Sequence, residues 1–240
     1  MGDGLVTHIE RVPADPWLAV EQHTAYVAAL AGAGWEIVEV PLADEFPDSA
    51  FVEDTVVVVD RLAVVARLGA DERLGEEEGV LPVLRALDLE VARIEAPGTL
   101  DGGDVLQVGN DVYVGRGGRT NADGIRQLRA LLAPLGRTVV AVPLLEVLHL
   151  KSAITALPDG TIVCANDRLI DPSPLARMRM VPEEAGSHVV VLDPSTVLMA
   201  ASAPRSAELF GDLGFDVVTV DISEFEKMEG CVTCLSVLVP

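Results

Sequence analysis

The chain has 240 residues, half of them apolar, and 38 acidic against 17 basic side chains give a formal net charge of −21. That apolar fraction excludes disordered and collagen-like classes, and the charge excludes the basic patch that a nucleic-acid binder needs. Aromatic residues make up only 4%, so the core has to be built from Val, Leu, Ile and Ala. No run of 18 apolar residues occurs, so no membrane-spanning helix is expected. Met1-Gly2-Asp3-Gly4 lacks the basic and apolar stretches of a secretory signal. Cys164, Cys231 and Cys234 are too few for a disulfide framework and point to a reducing, cytoplasmic setting. Most of the excess acid serves solubility, and it would attract cationic small molecules.

In chain order, residues 5–9 read as a strand. A helix over 18–30 runs through Gly32 and Gly34 into a strand over 35–40. A hairpin follows, 55–59 turning at Asp60-Arg61 into 62–66. The run Glu76-Glu77-Glu78 opens a helix over 80–87, where acids suit the helix dipole, and a strand over 89–94 comes next. A second hairpin pairs 105–108 with 112–114 across Gly109-Asn110-Asp111. Then come a helix over 125–135, Gly136 and a strand over 138–142. A third hairpin pairs 153–157 with 161–165 across Pro158-Asp159-Gly160. Pro172-Ser173-Pro174 is a loop before a short helix over 175–180 and a strand over 188–192. The last repeat has a helix over 206–213, Gly214 and a strand over 215–220, before a final strand over 235–239. Gly, Asn and Asp tolerate positive φ at these turns, and glycine suits the left-handed cap after three of the helices.

The repeating unit is strand, strand, helix, strand, about five times over in one domain spanning residues 1–240. Pairing the first strand with the last would close the chain into a ring. A doubly wound dinucleotide fold is the competing α/β architecture, but no Gly-x-Gly-x-x-Gly follows a strand.

Unusual polar residues recur at matching places in these repeats: PDSAFVED over 47–54, DGGD over 101–104, HLKS over 149–152 and GCVTCLS over 230–236. Asp54, Asp101 and His149 are spaced 47 and 48 residues apart, and Cys234 lies 85 beyond His149, close to two repeats. Around a common axis, carboxylates, one imidazole and one thiol would meet in one cavity. Each motif also has a plainer reading: DGGD as a loop, Glu53-Asp54 as a strand end facing water, His149 as a hydrogen-bonded core residue. Cys231-x-x-Cys234 can be a redox pair, half of a zinc site, or two small buried residues. A strand rather than a helix follows it, and two further soft ligands are missing, which disfavours the first two. His8, His23 and His188 are surface or packing residues.

Taken together, FVED, TLDGGDV, VGRGGRTN, HLKS and TCLSV resemble the dimethylarginine dimethylaminohydrolase family, which is related to the arginine deiminases. The resemblance runs from Thr7 to Leu238 in the family's order. It implies an α/β fold, a five-bladed ββαβ propeller with pseudo-fivefold symmetry, and hydrolysis of methylated arginine to citrulline and an alkylamine. It implies that Cys234 is the nucleophile, with Cys231 a bystander, His149 the general acid/base and Asp101 its orienting acid. Glu53 and Asp54 would grip the guanidinium, Asp48 the amino-acid end, and Arg73 with Arg119 the α-carboxylate. Leu18 and Met228 would stand near the mouth. Arginine deiminases carry an aspartate two residues after the histidine; here that residue is Lys151, which favours an alkylated guanidinium. Arginine deiminase and a non-catalytic amino-acid-binding protein are the alternatives. No metal or organic cofactor is expected, and no nucleic-acid or membrane partner. The expected partner is a cationic amino-acid substrate, and an exposed sheet edge is compatible with a homodimer.

Overall fold

The computed structural model describes residues 4–175 and 177–240. Among these residues four three-stranded sheets follow one another, each an antiparallel hairpin with a third strand added in parallel. The first contains β1 (Val56–Val59), β2 (Leu62–Val65) and β3 (Glu90–Arg93), with Val56 opposite Val65 and Leu62 beside Glu90. The second contains β4 (Val105–Val108), β5 (Asp111–Arg116) and β6 (Thr138–Pro143). The third contains β7 (Ile154–Ala156), β8 (Ile162–Cys164) and β9 (Met178–Met180). The fourth contains β10 (Val189–Val191), β11 (Thr196–Ala200) and β12 (Asp216–Val220).

A parallel third strand requires a crossover, and an amphipathic helix supplies it in three sheets. These are α2 (Leu81–Ala86), α3 (Ala122–Leu132) and α4 (Pro204–Asp212). Helix α3 is typical: Asn121 caps it by accepting from the Gly124 N–H, and Ile125, Leu128 and Leu132 form its buried face. Gly136 then reverses the chain at φ 71° into β6. Helix α1 (Pro16–Gly32) precedes the first sheet and packs on α5 (Ser223–Glu226).

Three expectations need correction. The third sheet has no crossover helix among the described residues: Met178–Met180 is strand β9, and Ala176 lies outside them. The backbone of 178–180 pairs with β8, and Pro172 and Pro174 just before it oppose a helix. No strand forms over 5–9, 35–40 or 235–239. Their side chains still pack: Val6, Trp35 and Leu238 against the core around Tyr26 and Phe225, and Val40, Val237 and Val239 against that of β1 and β2. Packing, rather than a hydrogen-bonded ladder, holds these segments. Finally, Glu76-Glu77-Glu78 lies in a 3-10 turn ahead of α2, and Glu76 is buried. Among the described residues no helix is long and apolar enough to cross a membrane.

Candidate active site

A 3-10 turn leads into the first strand of each of the first three sheets: Val52–Thr55 and Gly102–Asp104 directly, and Leu150–Ser152 through Ala153. These turns carry the polar motifs, and they lock together. The Gly103 N–H donates to Asp54 Oδ1 at 2.9 Å, and the Leu150 N–H donates to Asp104 Oδ1 at 2.9 Å. Glycine is required for this approach. A Cβ on Gly102 would lie 2.0 Å from the Glu53 carbonyl oxygen, and one on Gly103 would lie 2.6 Å from His149 Nδ1. A fourth segment arrives from the far end of the chain, where the Cys234 carbonyl accepts from the Glu53 N–H at 3.2 Å.

His149 Nε2 lies 3.0 Å from Asp101 Oδ2. Asp101 is fully buried, and its other oxygen accepts from the Gly69 N–H at 2.7 Å. Two fixed partners give that carboxylate one orientation, and so orient the imidazole. Nδ1 is 3.7 Å from Asp54 Oδ1. Burial alone would push the His149 pKa down, but Asp54, Asp101 and Asp104 outweigh it and raise it to about 9. Burial would likewise raise Asp54; His149 and Arg73 overcome it and hold that carboxyl at about 2. The Cys234 thiol is pushed up, first by its hydrogen bond with Cys231, then by burial and by the charges of Glu53 and Asp54.

One cavity is lined by Asp48, Asp54, Arg73, Arg119, His149, Met228 and Cys234, with Phe51 and Leu5 at its wall. Asp101 stands directly behind His149. Asp48 accepts from the Leu5 N–H at 3.0 Å. Arg119 Nη1 is 3.4 Å from Asp101. Arg73 reaches the cavity wall with its guanidinium already engaged: 2.6 Å from Asp54 and 2.7 Å from Glu76, both buried. Glu53 does not line this cavity. Its carboxylate turns to a second one, bonded to Lys151 Nζ at 2.5 Å and Thr233 Oγ1 at 2.9 Å. Burial raises its pKa to about 7 against the pull of Lys151. Leu18 lies on the first turn of α1 and does not line the cavity.

Two acids matter more than sequence reasoning indicated. Asp104, the second acid of DGGD, tethers the residue after His149, and burial lifts its carboxyl to about 6. Glu76 shares the Arg73 guanidinium, although the two lie in separate 3-10 turns divided by Gly75 at φ 107°, so no helical spacing signalled the pair. Asp54, Asp101 and His149 bring three donor atoms within 4.8 Å of one another, a grouping that can hold a cation. Arg73 and Arg119 already place positive charge against its two carboxylates.

No family model matches the chain. The N(G),N(G)-dimethylarginine dimethylaminohydrolase of Streptomyces coelicolor is 57% identical over 237 residues, 99% of this chain and 92% of that protein. The chain belongs to the dimethylarginine dimethylaminohydrolase family. Solved structures of dimethylarginine dimethylaminohydrolases agree. The Pseudomonas aeruginosa enzyme, as a cysteine-to-serine variant with citrulline, is 36% identical with a TM-score of 0.90, over 98% of this chain and 92% of that one. A histidine-to-glycine variant in an adduct with S-methyl-L-thiocitrulline is 35% identical with a TM-score of 0.91, over 98% and 93%.

Two consequences of this dimethylarginine dimethylaminohydrolase site are measurable. In Gly103→Ala the new Cβ also meets Asp54 Oδ1 at 2.7 Å, so the imidazole and the carboxylate must part. Citrulline release is expected to fall ~10²-fold, since misplacement by about 1 Å costs that much. Unchanged turnover would show that the turn gives way freely. The second concerns pH. The folded-state pKa of His149 is raised above its ordinary 6.5 to about 9. Its stabilisation is therefore complete below about 6.5 and lost as pH rises through about 9. Urea unfolding across that window should show a decline that His149→Asn flattens.

Proposed function

We propose that this protein hydrolyses Nω-methylated arginine to citrulline and an alkylamine through a covalent intermediate on Cys234. The observation that carries this reading is a single cavity lined by a thiol, an imidazole backed by a buried aspartate, and the carboxylate of Asp54. Resonance makes the guanidinium carbon a poor electrophile. Asp54 fixes its planar edge by charge-assisted hydrogen bonds. The cationic substrate lowers the raised pKa of Cys234 by its charge, and the thiolate attacks the carbon. His149, protonated at neutral pH, gives a proton to the departing amine, which leaves as a neutral molecule. The thiouronium that remains is attacked by water, whose proton His149 takes, and collapse of the adduct frees citrulline and the thiolate. Asp101 orients the imidazole throughout.

Asp48 and Arg119 serve the amino-acid end of the substrate. Arg73 and Glu53 serve the guanidinium site from behind: Arg73 by fixing Asp54, and Glu53 through its own backbone N–H, which donates to the Cys234 carbonyl. Met228 shapes the wall, and Leu18 is assigned no contact. The architecture belongs to the same reading: a single catalytic domain over 1–240 and a fifth unit formed by both ends of the chain, completing a five-bladed propeller. So do a cytoplasmic location and a homodimer through a sheet edge, the latter read by light scattering on a sizing column.

The test is citrulline release from asymmetric dimethylarginine, monomethylarginine and arginine, compared side by side. Turnover of the methylated substrates with little from arginine is expected. Turnover of arginine would favour the deiminase reading and would mean that Lys151 does not exclude it. No citrulline from any of them would favour a binding protein.

A further inference from the structure

Cys231 has no part in the hydrolysis described above, yet its sulfur lies 3.3 Å from that of Cys234. Both belong to one tight turn. The Cys234 N–H donates to the Cys231 carbonyl at 3.1 Å, and the Cys231 N–H points at Cys234 Sγ at 3.3 Å. A β-turn keeps its end Cα atoms within ~7 Å, which overlaps the ~4.4–6.8 Å across which disulfides form. The absence of a helix after these cysteines disfavours a thioredoxin-type pair, but proximity of two sulfurs needs only the turn. Thr233 Oγ1 donates to Glu53, so its oxygen, 3.3 Å from Cys231 Sγ, is left to accept the Cys231 S–H. That arrangement leaves sulfur lone pairs for Cys234. Cys234 lines the cavity, whereas Cys231 is buried behind it. A small oxidant therefore reaches the pair through Cys234.

We propose that Cys231 is a resolving cysteine, and that a hydroperoxide oxidises the pair to an intramolecular Cys231–Cys234 disulfide that reversibly stops hydrolysis. The inhibitory part rests on the nucleophilic role proposed for Cys234. In the first step the Cys234 sulfur attacks one peroxide oxygen as its thiol proton is released. A sulfur–oxygen bond forms, the oxygen–oxygen bond breaks, and the departing hydroxide takes up the thiol's proton as water. In the second step the Cys231 sulfur attacks the Cys234 sulfenic sulfur. The sulfur–sulfur bond forms, and the hydroxyl leaves with the Cys231 proton as a second water. The two sulfurs together lose two electrons and the peroxide gains them. A dithiol reverses the change by exchange. Resolution by a neighbour at van der Waals distance also spares Cys234 the irreversible sulfinic state.

Cys164, fully buried in β8, is a spectator and makes the stoichiometry legible. The full-length protein is exposed to hydrogen peroxide. Intact mass, free thiols in denaturant, and citrulline release are read before and after dithiothreitol. The expected result is a mass loss of two hydrogens, a fall from three free thiols to one, citrulline release lost in proportion, and full recovery with dithiothreitol. Cys231→Ser, with Cys231→Ala as a second form, should release citrulline before treatment, and each variant's own untreated rate is its reference. Each should then gain oxygen atoms under peroxide and fail to recover. A wild-type protein that gains oxygen instead of losing two hydrogens overturns the proposal, as does a Cys231 variant that recovers as fully as wild type. Mass and thiol count are read without turnover, so the two readings fail separately. No disulfide with hydrolysis intact overturns the resolving role alone. A disulfide with citrulline release undiminished overturns the nucleophilic role of Cys234, and the switch with it.

Discussion

Cys234→Ser is expected to abolish citrulline release, by at least ~10³-fold, while leaving the thermal midpoint close to wild type. Loss of a nucleophile removes the covalent route itself, and residual catalysis then comes only from binding and charge stabilisation. The hydroxyl of serine is slightly smaller than the thiol and keeps the backbone contact that Cys231 N–H makes with Sγ. Its proton is far harder to remove, and neither His149 nor the substrate's charge compensates for that difference. Folding should therefore be unaffected while chemistry stops. The measurement is kcat beside a melting curve on the same preparation. Wild-type turnover by the serine variant would sink the nucleophile assignment. A collapsed midpoint would mean that the sulfur holds the C-terminal turn together.

Arg73→Ala should destabilise the protein by about 3–5 kcal/mol, the range seen when one partner of a buried ion pair is removed. Arg73 is 4% exposed and bridges Asp54 and Glu76, which are equally sequestered from water. Without the guanidinium, two carboxylates lose their compensating charge in a site that neither can leave. For a chain of this size the melting midpoint should drop by ~2–4 °C for each kcal/mol. Lysine is a poor substitute, because a single ammonium cannot match the fork that meets both acids. An unchanged midpoint with a raised KM would assign Arg73 to the substrate's α-carboxylate instead, the role implied by the family resemblance.

The repeated sheets were legible because β-branched runs bounded by Asp, Asn and Gly turns specify hairpins locally, as at Asp60 and Gly160. The meeting of Asp54, Asp101 and His149 was legible as a period, since they recur at the same place in successive units. What could not be read was side-chain direction within a 3-10 turn. Glu53 and Asp54 are adjacent, yet their carboxylates enter different cavities. Nor was the Arg73 network visible, since Asp54 lies 19 residues away and becomes its partner only when the turn folds back. Reading Cys231 and Cys234 ahead of a strand hid their contact. Three residues of extended chain would separate them by ~10 Å, whereas the turn brings the sulfurs together.

Tyr26 on α1 donates to the Val232 carbonyl at 2.8 Å and lies 2.7 Å from Ser236 Oγ. These partners are 206 and 210 positions apart, whereas no sheet spans more than 39 residues. Closing the longer loop costs roughly 1.5 kcal/mol more entropy than closing the loop of a sheet. The sheets can therefore assemble one by one from local contacts, while the segment bearing Cys234 docks only when distant parts of the chain meet. A chain refolding from urea should regain far-ultraviolet dichroism before it regains turnover, so catalytic competence is acquired as the final act of folding.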